Sequence, residues 1–281
     1  MSRPTHKLRI EKKIVLVIDI CSSSEIMEDL LRTQDIVRWR NFLITLKDYM
    51  VAKSRKLAFT VYKFIGDGWI LLFEQDYNGK RLLNFLVDLS NKFEKEFRGS
   101  IYPYLEKPPD VDGFTFGLDS GRLVFIEMME RQEYVGRPIN VAARLQGTIQ
   151  DTDISSGYRV MMSNMLFQHM KNQLKSFHPE LVHRRLKNII RGGEFPCYRL
   201  AISEIPFKII KAIYGTADNP VDVTPELTSQ IKGNRIDTFV TNELLGGDPA
   251  PGVGKNLDVE YISHGRVCKK KARERARIQL P

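Results

Sequence analysis

An α+β sandwich, with helices on one face of a mostly antiparallel sheet, is the fold this sequence predicts. Three observations carry that expectation. Between residues 13 and 202 the apolar segments run strand, helix, strand, strand, helix, strand, strand, helix. Residues 14–18, Ile-Val-Leu-Val-Ile, form a continuous apolar run of the kind found in a strand covered on both faces. Two β-rich runs flank Gly66-Asp67-Gly68, a tight-hairpin pattern, because glycine accepts the positive φ of a short turn.

The elements follow in order. Residues 1–12 are polar and basic and read as a loose arm. The first strand covers 13–19. Ser24 is the expected N-cap of one long helix or two, with Met27, Leu30, Leu31, Ile36, Val37, Phe42, Leu43, Leu46 and Met50 at helical spacing. Strands are expected at 58–65 and 69–74. Leu82, Leu83, Phe85, Leu86, Leu89, Phe93 and Phe97 mark the next helix. After a proline-containing loop, 114–121 and 123–126 read as two strands around a glycine turn. Pro138 opens a helix with Ile139, Val141, Ala142 and Leu145 on its apolar side. Residues 196–202 form a last strand. From 203 the composition shifts to Asn, Asp, Thr, Gly and Pro, which predicts a hinge near Ile205-Pro206. A small mostly β domain over 203–265 and a basic tail over 266–281 follow.

The bulk numbers set limits. The chain has 281 residues, is 42% hydrophobic and 27% charged, and carries a net charge of +9. That describes a globular chain with one ordinary domain and a smaller one. Much of the visible basic cluster lies in 269–277, and a cluster of this kind is expected as a solvated tail. Cys21, Cys197 and Cys268 have no metal spacing and fit free thiols in a reducing compartment. Neither a signal peptide nor a membrane segment is read, so a cytoplasmic location is expected. The five histidines show no metal spacing.

Three constellations carry chemistry. Asp19 closes the first strand and is followed by Ser22, Ser23 and Ser24 at the start of a helix. Asp67 sits in the hairpin turn. Alone, Asp67 is as well explained as a turn former. Two carboxylates at adjacent strand ends beside a helix N-terminus make a site for magnesium and a polyphosphate. The third constellation is the helix with Asn140 and Arg144, four residues apart and on one face. Arginine suits charge growing on phosphoryl oxygens.

In this order and spacing the motifs resemble the class III nucleotidyl cyclase catalytic domain over roughly 13–201. They are Val-Ile-Asp-Ile-Cys-Ser-Ser around Asp19, Lys-x-x-Gly-Asp from Lys63 to Asp67, Gly-Phe-Thr-Phe-Gly-Leu-Asp-Ser-Gly, and Gly-x-x-x-Asn-x-Ala-x-Arg from Gly136 to Arg144. The resemblance implies the family's ferredoxin-like sandwich. It implies Asp19, Asp67 and the Ile20 carbonyl as ligands of two Mg2+ or Mn2+ ions per active site. Lys63 and Glu133 take the base-reading positions, Asn140 the ribose position and Arg144 the transition-state position. Ser22 and Ser23 stand at the phosphate loop, where the family's usual glycine and aromatic are absent. Lys187 is the nearest match to the lysine that holds the triphosphate. The resemblance also implies a homodimer whose active sites are shared between protomers.

Lys63 offers a donor and Glu133 an acceptor, and adenine, cytosine, uracil and guanine each satisfy such a pair. The C-terminal segment bears Tyr214-Gly215, Asn242 through Gly252, and Lys255-x-Leu257-x-Val259-x-Tyr261. It is similar to a sensor domain on cyclases and nucleotidyltransferases of bacterial antiphage systems. A cyclase with that module resembles the pyrimidine cyclases of Pycsar immunity. That likeness implies UTP as substrate and cyclic UMP as product, with CTP next, and a separate cyclic-nucleotide effector. An ordinary adenylate cyclase is the alternative within the enzyme class. A catalytically dead nucleotide-binding module is a rival, disfavoured by the presence of Asp19, Asp67, Asn140 and Arg144. No specific nucleic-acid partner is expected, because the basic cluster lacks interleaved aromatics.

Overall fold

The computed structural model describes residues 9–128, 131–189, 193–202, 208–231, 236–263 and 266–280. The chain divides into two compact units, 1–203 and 204–281. The expected hinge at Ile205-Pro206 lies outside the described residues.

The first unit runs β1 (Arg9–Ile20), α1 (Ser23–Arg32), α2 (Ile36–Leu57), β2 (Thr60–Ile65), β3 (Gly68–Glu74), α3 (Gly79–Ser100) and β4 (Phe114–Met128). It continues with β5 (Arg131–Val135), α4 (Arg137–Gln146), α5 (Asp151–Ser155), β6 (Tyr158–Ser163), α6 (Asn164–Met170), β7 (Glu180–Arg184) and β8 (Phe195–Ala201). The strands form one sheet in the order β2-β3-β1-β4-β6-β8-β7, with β5 paired to β4. Pairing is antiparallel except between β4 and β6, among the described residues.

β1 sits near the centre, and its apolar run is buried on both faces. Ile14, Leu16 and Ile18 join Trp69, Leu71, Phe73 and the helical Leu30, Phe42, Leu46, Leu82, Leu86 and Phe93 in the main core. Val15 and Val17 point the other way and pack with Ile70, Leu72, Leu123 and Ala142. Helices therefore do not cover one face alone. α4 occupies the opposite face, and two glycines of β4 let it do so. A Cβ at Gly117 would lie 2.0 Å from the Ala142 carbonyl oxygen, and one at Gly121 would lie 2.9 Å from Pro138 Cγ.

That second glycine explains a difference from the sequence reading. Gly121 does not turn the chain, and β4 runs unbroken from Phe114 to Met128, paired with β1 along its length. The glycine makes room for α4. One further element differs. Residues 9–12, expected in a loose arm, belong to β1 and pair with 122–125. Of the one helix or two expected next, the chain forms two, α1 and α2, separated at Gln34, whose φ is 63°.

The second unit contains β9 (Lys208–Gly215), β10 (Pro220–Asp222), α7 (Thr224–Ser229), β11 (Ile236–Phe239), β12 (Asn256–Ser263), β13 (Arg266–Arg273) and β14 (Arg277–Leu280). One sheet has the order β10-β9-β12-β13, and β11 pairs with β14. The expected basic tail is therefore folded. Lys269 and Lys271 stand opposite Glu260 and Asp258 across β12, and Arg277 pairs with Asp237 at 2.7 Å. Cross-strand acids, together with burial of Ile278 and Leu280, fix a segment whose composition alone reads as solvated. The Tyr214, Asn242, Asp248, Lys255 and Glu274 side chains form one polar network, with Lys255 Nζ 2.7 Å from Asp248 and 3.3 Å from Glu274. No helix among the described residues is long and apolar enough to cross a membrane.

Candidate active site

β1 delivers Asp19 to the end of the sheet, where it stands opposite Thr115 of β4. Its neighbour Ile18 pairs with Trp69, so the Gly66-Asp67 turn before β3 arrives beside Asp19. The two carboxylates feel one another. Burial raises the Asp19 carboxyl above the usual aspartate range, and the Asp67 charge raises it further. Hydrogen bonds from Gln146 and the Ile20 backbone N–H partly oppose that rise. Ser23, the first residue of α1, donates its hydroxyl to the Asp67 carboxylate. Ser22 caps α1 in the left-handed region, at φ 53°, so the helix starts before the expected Ser24. The Ile20 side chain is buried, and its backbone N–H is the group it turns to Asp19.

These are hard oxygen donors: two carboxylates in mutual repulsion and an adjacent main-chain carbonyl. That set fits Mg2+ or Mn2+, which take oxygen ligands and complete their shells with water and phosphate. The described residues contain no group of three or more His, Cys, Asp or Glu side chains placed to hold a metal. The three cysteines are free thiols.

Lys63 and Glu133 meet across the sheet edge. The Lys63 ammonium lies 3.0 and 2.9 Å from the two Glu133 oxygens. Tyr62 joins them, donating to Glu133 Oε2 at 2.6 Å and accepting the Tyr134 N–H at 2.7 Å. Strict alternation along β2 would send Tyr62 and Lys63 to opposite faces. The register shifts between Val61 and Lys63, and this bulge brings both side chains to Glu133. Burial, with Glu133 next in effect, pushes the Tyr62 hydroxyl up to about 12, so it remains a donor at neutral pH.

On α4, Val141, Ala142 and Leu145 are buried against the sheet. Asn140 is exposed and Arg144 half-buried. The residue that α4 sends to Asp19 in the same chain is Gln146, not Asn140 or Arg144. Gln146 Nε2 donates to Asp19 Oδ2 at 3.1 Å and to Thr115 Oγ1 at 3.0 Å. Lys187 is exposed in the loop after β7 and is not brought to these residues by any hydrogen bond or ion pair among the described residues.

The structure thus joins Asp19, Asp67, Ser23 and Gln146 in one cluster and Lys63, Glu133 and Tyr62 in another. Sequence reasoning missed Gln146 and Tyr62. Gln146 had a signal: six residues after Asn140, it faces away from the Asn140–Arg144 stripe and toward the sheet. Tyr62 had none, because a bulge does not show in the apolar alternation.

No family model matches the chain. No curated protein matches it either. Solved structures do. The adenylyl cyclase CyaB from P. aeruginosa is 16% identical with a TM-score of 0.53, the alignment covering 70% of this chain and 97% of that one. A guanylyl cyclase is 15% identical with a TM-score of 0.55, covering 68% and 92%. A bacterial light-regulated adenylyl cyclase is 16% identical with a TM-score of 0.53, covering 70% of this chain and 54% of its own longer one. With its antiparallel-rich sheet, helices on both faces and these matches, the chain is an α+β protein with the class III cyclase fold and an additional small β-rich unit.

Proposed function

We propose that the first unit is a nucleotidyl cyclase, converting a nucleoside triphosphate to its 3′,5′-cyclic monophosphate and pyrophosphate. The observation that carries this reading is the meeting of Asp19 and Asp67 at adjacent strand ends, with Asp19 pushed up by burial and by its neighbour. Such a pair is set to hold a divalent cation. Two Mg2+ or Mn2+ ions bound by Asp19, Asp67 and the Ile20 carbonyl would supply charge neutralisation at the phosphates and acidify the ribose hydroxyl.

The chain's own residues do the rest. The ribose O3′ gives its proton to solvent water and bonds to the α-phosphorus as the bond to the pyrophosphate oxygen breaks, the electron pair leaving with pyrophosphate. Arg144 faces the charge that grows on the phosphoryl oxygens, a contact worth about 2.7–4 kcal/mol in comparable sites. Asn140 orients the ribose. Ser22 and Ser23 place the α1 N-terminus toward the phosphates. Lys187 is the candidate triphosphate lysine. Lys63 and Glu133, held with Tyr62, read the base. Because α4 turns Gln146 to its own Asp19 and Asn140 and Arg144 elsewhere, the reading takes a homodimer in which each site combines residues from two protomers.

For the base, the reading is UTP, with CTP second, giving a cyclic pyrimidine nucleotide that acts on a separate effector in antiphage defence. Its support is the likeness of the second unit's Tyr214, Asn242 and Lys255 segments to sensor modules of such systems. The test uses the full chain with Mn2+ and each of ATP, GTP, CTP and UTP, the products identified by mass. Cyclic UMP or cyclic CMP alone supports the pyrimidine reading. Cyclic AMP replaces it with an adenylate cyclase. No product at all, matching Asp67→Ala, refutes the cyclase.

A further inference from the structure

We propose that Gln146 is a positioning residue of the cation site, holding the Asp19 carboxylate in the orientation that binds metal. The inference rests on the cyclase reading only in taking Asp19 as a cation ligand. Gln146 is the last residue of α4, and its amide nitrogen has two acceptors, Asp19 Oδ2 at 3.1 Å and Thr115 Oγ1 at 3.0 Å. The Asp19 carboxylate only accepts, so the amide turns its nitrogen, not its oxygen, to this corner, and the Thr115 hydroxyl lies within reach of the same nitrogen.

Its anchor is rigid. Thr115 is 5% exposed and stands directly across from Asp19 in the β1–β4 register. The helix end is pressed on β4 at Gly117, where a Cβ would lie 2.6 Å from the Gln146 backbone nitrogen. Three elements, β1, β4 and α4, therefore meet at the Gln146 amide.

The chemistry favours an amide at this position. A carboxylate's terminal torsion is broad, so a ligating aspartate left alone loses orientational freedom when it binds. A donor that fixes it beforehand lowers that cost. A lysine or arginine would also fix it, but its charge would oppose a cation. A neutral amide orients without that competition. Partners that orient metal ligands in this way typically alter affinity by about 10–100-fold when removed.

The test compares full-length wild type, Gln146→Met and Asp67→Ala. Methionine keeps the length and helical preference of glutamine and removes the donor. Mn2+ affinity is measured without nucleotide, by the electron paramagnetic resonance of free Mn2+, and melting is followed in chelator. Mn2+ binding about tenfold weaker in Gln146→Met is the expected result. Binding within about twofold of wild type overturns the proposal, whatever happens to the melting temperature. Should Gln146→Met fold poorly, Thr115→Val unties the same amide from its anchor. It is expected to weaken Mn2+ binding, and unchanged affinity there overturns the proposal too. Wild type that makes cyclic nucleotide but shows no Gln146 effect defeats this inference alone. Wild type that binds Mn2+ through Asp67 but makes no product defeats the cyclase reading and leaves the Gln146 comparison valid.

Discussion

Replacing Asp19 with asparagine should stabilise the metal-free protein while abolishing its activity. Asp19 is half-buried beside Asp67, and both burial and the neighbouring charge disfavour its ionised form. Like charges in contact, about 4 Å apart near a protein surface, repel by about 4 kcal/mol at an effective dielectric of about 20, which sets the upper bound for this pair. Solvent access and the donors from Ser23, Gln146 and Ile20 cut this to about 1–2 kcal/mol. Asparagine keeps one acceptor oxygen for Gln146 and gives up a hydrogen bond worth about 0.5–1 kcal/mol. The net gain is about 1 kcal/mol, or about 2–4 °C for a unit of this size. The pH dependence has a definite sign. A carboxyl raised in the native state gives stability that is complete below the ordinary aspartate pKa and is lost as pH rises through the raised value. The asparagine of the variant does not titrate. Its advantage should therefore be absent at acid pH and present near neutrality. Calorimetry of wild type and Asp19→Asn in chelator, at pH values on both sides of the carboxylate range, measures this. A variant that melts lower at neutral pH, or whose difference is the same at acid pH, would refute the repulsion at this corner.

Three other outcomes are expected. Tyr62→Phe leaves the Tyr134 N–H without its acceptor and removes one donor from Glu133, so steady-state kinetics should show KM for the preferred nucleotide rising about tenfold, with kcat little changed. Asp67→Ala and Arg144→Ala should each be inactive, and an equimolar mixture should recover roughly a quarter of wild-type turnover if subunits exchange at random; a mixture as inactive as its parts would rule out shared sites. Truncation after residue 265 removes β13 and β14 together with buried Ile278 and Leu280, so calorimetry should lose the transition of the second unit and keep that of the first.

The fold was readable where a residue's local pattern and its tertiary role coincide. The apolar run of β1 requires cover on both faces, and it has it. Gly66-Asp67 lies between two β-rich runs, and the hairpin is there. Gly121 shows the opposite case: a glycine between apolar runs can turn the chain or admit a neighbour, and only the packing of Pro138 decides which. The basic C-terminal residues mislead for a similar reason. Lysines on a strand look solvated until the acids across the ladder are known. Within the candidate site, Asp19 and Asp67 were legible because each ends a recognisable strand. Tyr62 was not, since a one-residue register shift reverses the face that alternation assigns. Gln146 was marked only by its helical offset from Asn140, and its partner Asp19 shows once α4 is placed on the side of the sheet that a one-faced sandwich leaves bare.

The lysines of β13 have a role that needs no ligand. Among the described residues β13 is the end strand of its sheet, and the outer backbone N–H and C=O groups of an end strand are a template for another strand. Lys269, Lys270, Lys271 and Arg273 put four cations on that strand, of which Lys269 and Lys271 are partly offset by Glu260 and Asp258. A second copy approaching edge to edge would bring its own cations against these. The charge that reads as a solvated tail thus suits a guard against assembly, and neutralising it should let copies of the unit polymerise through their sheets.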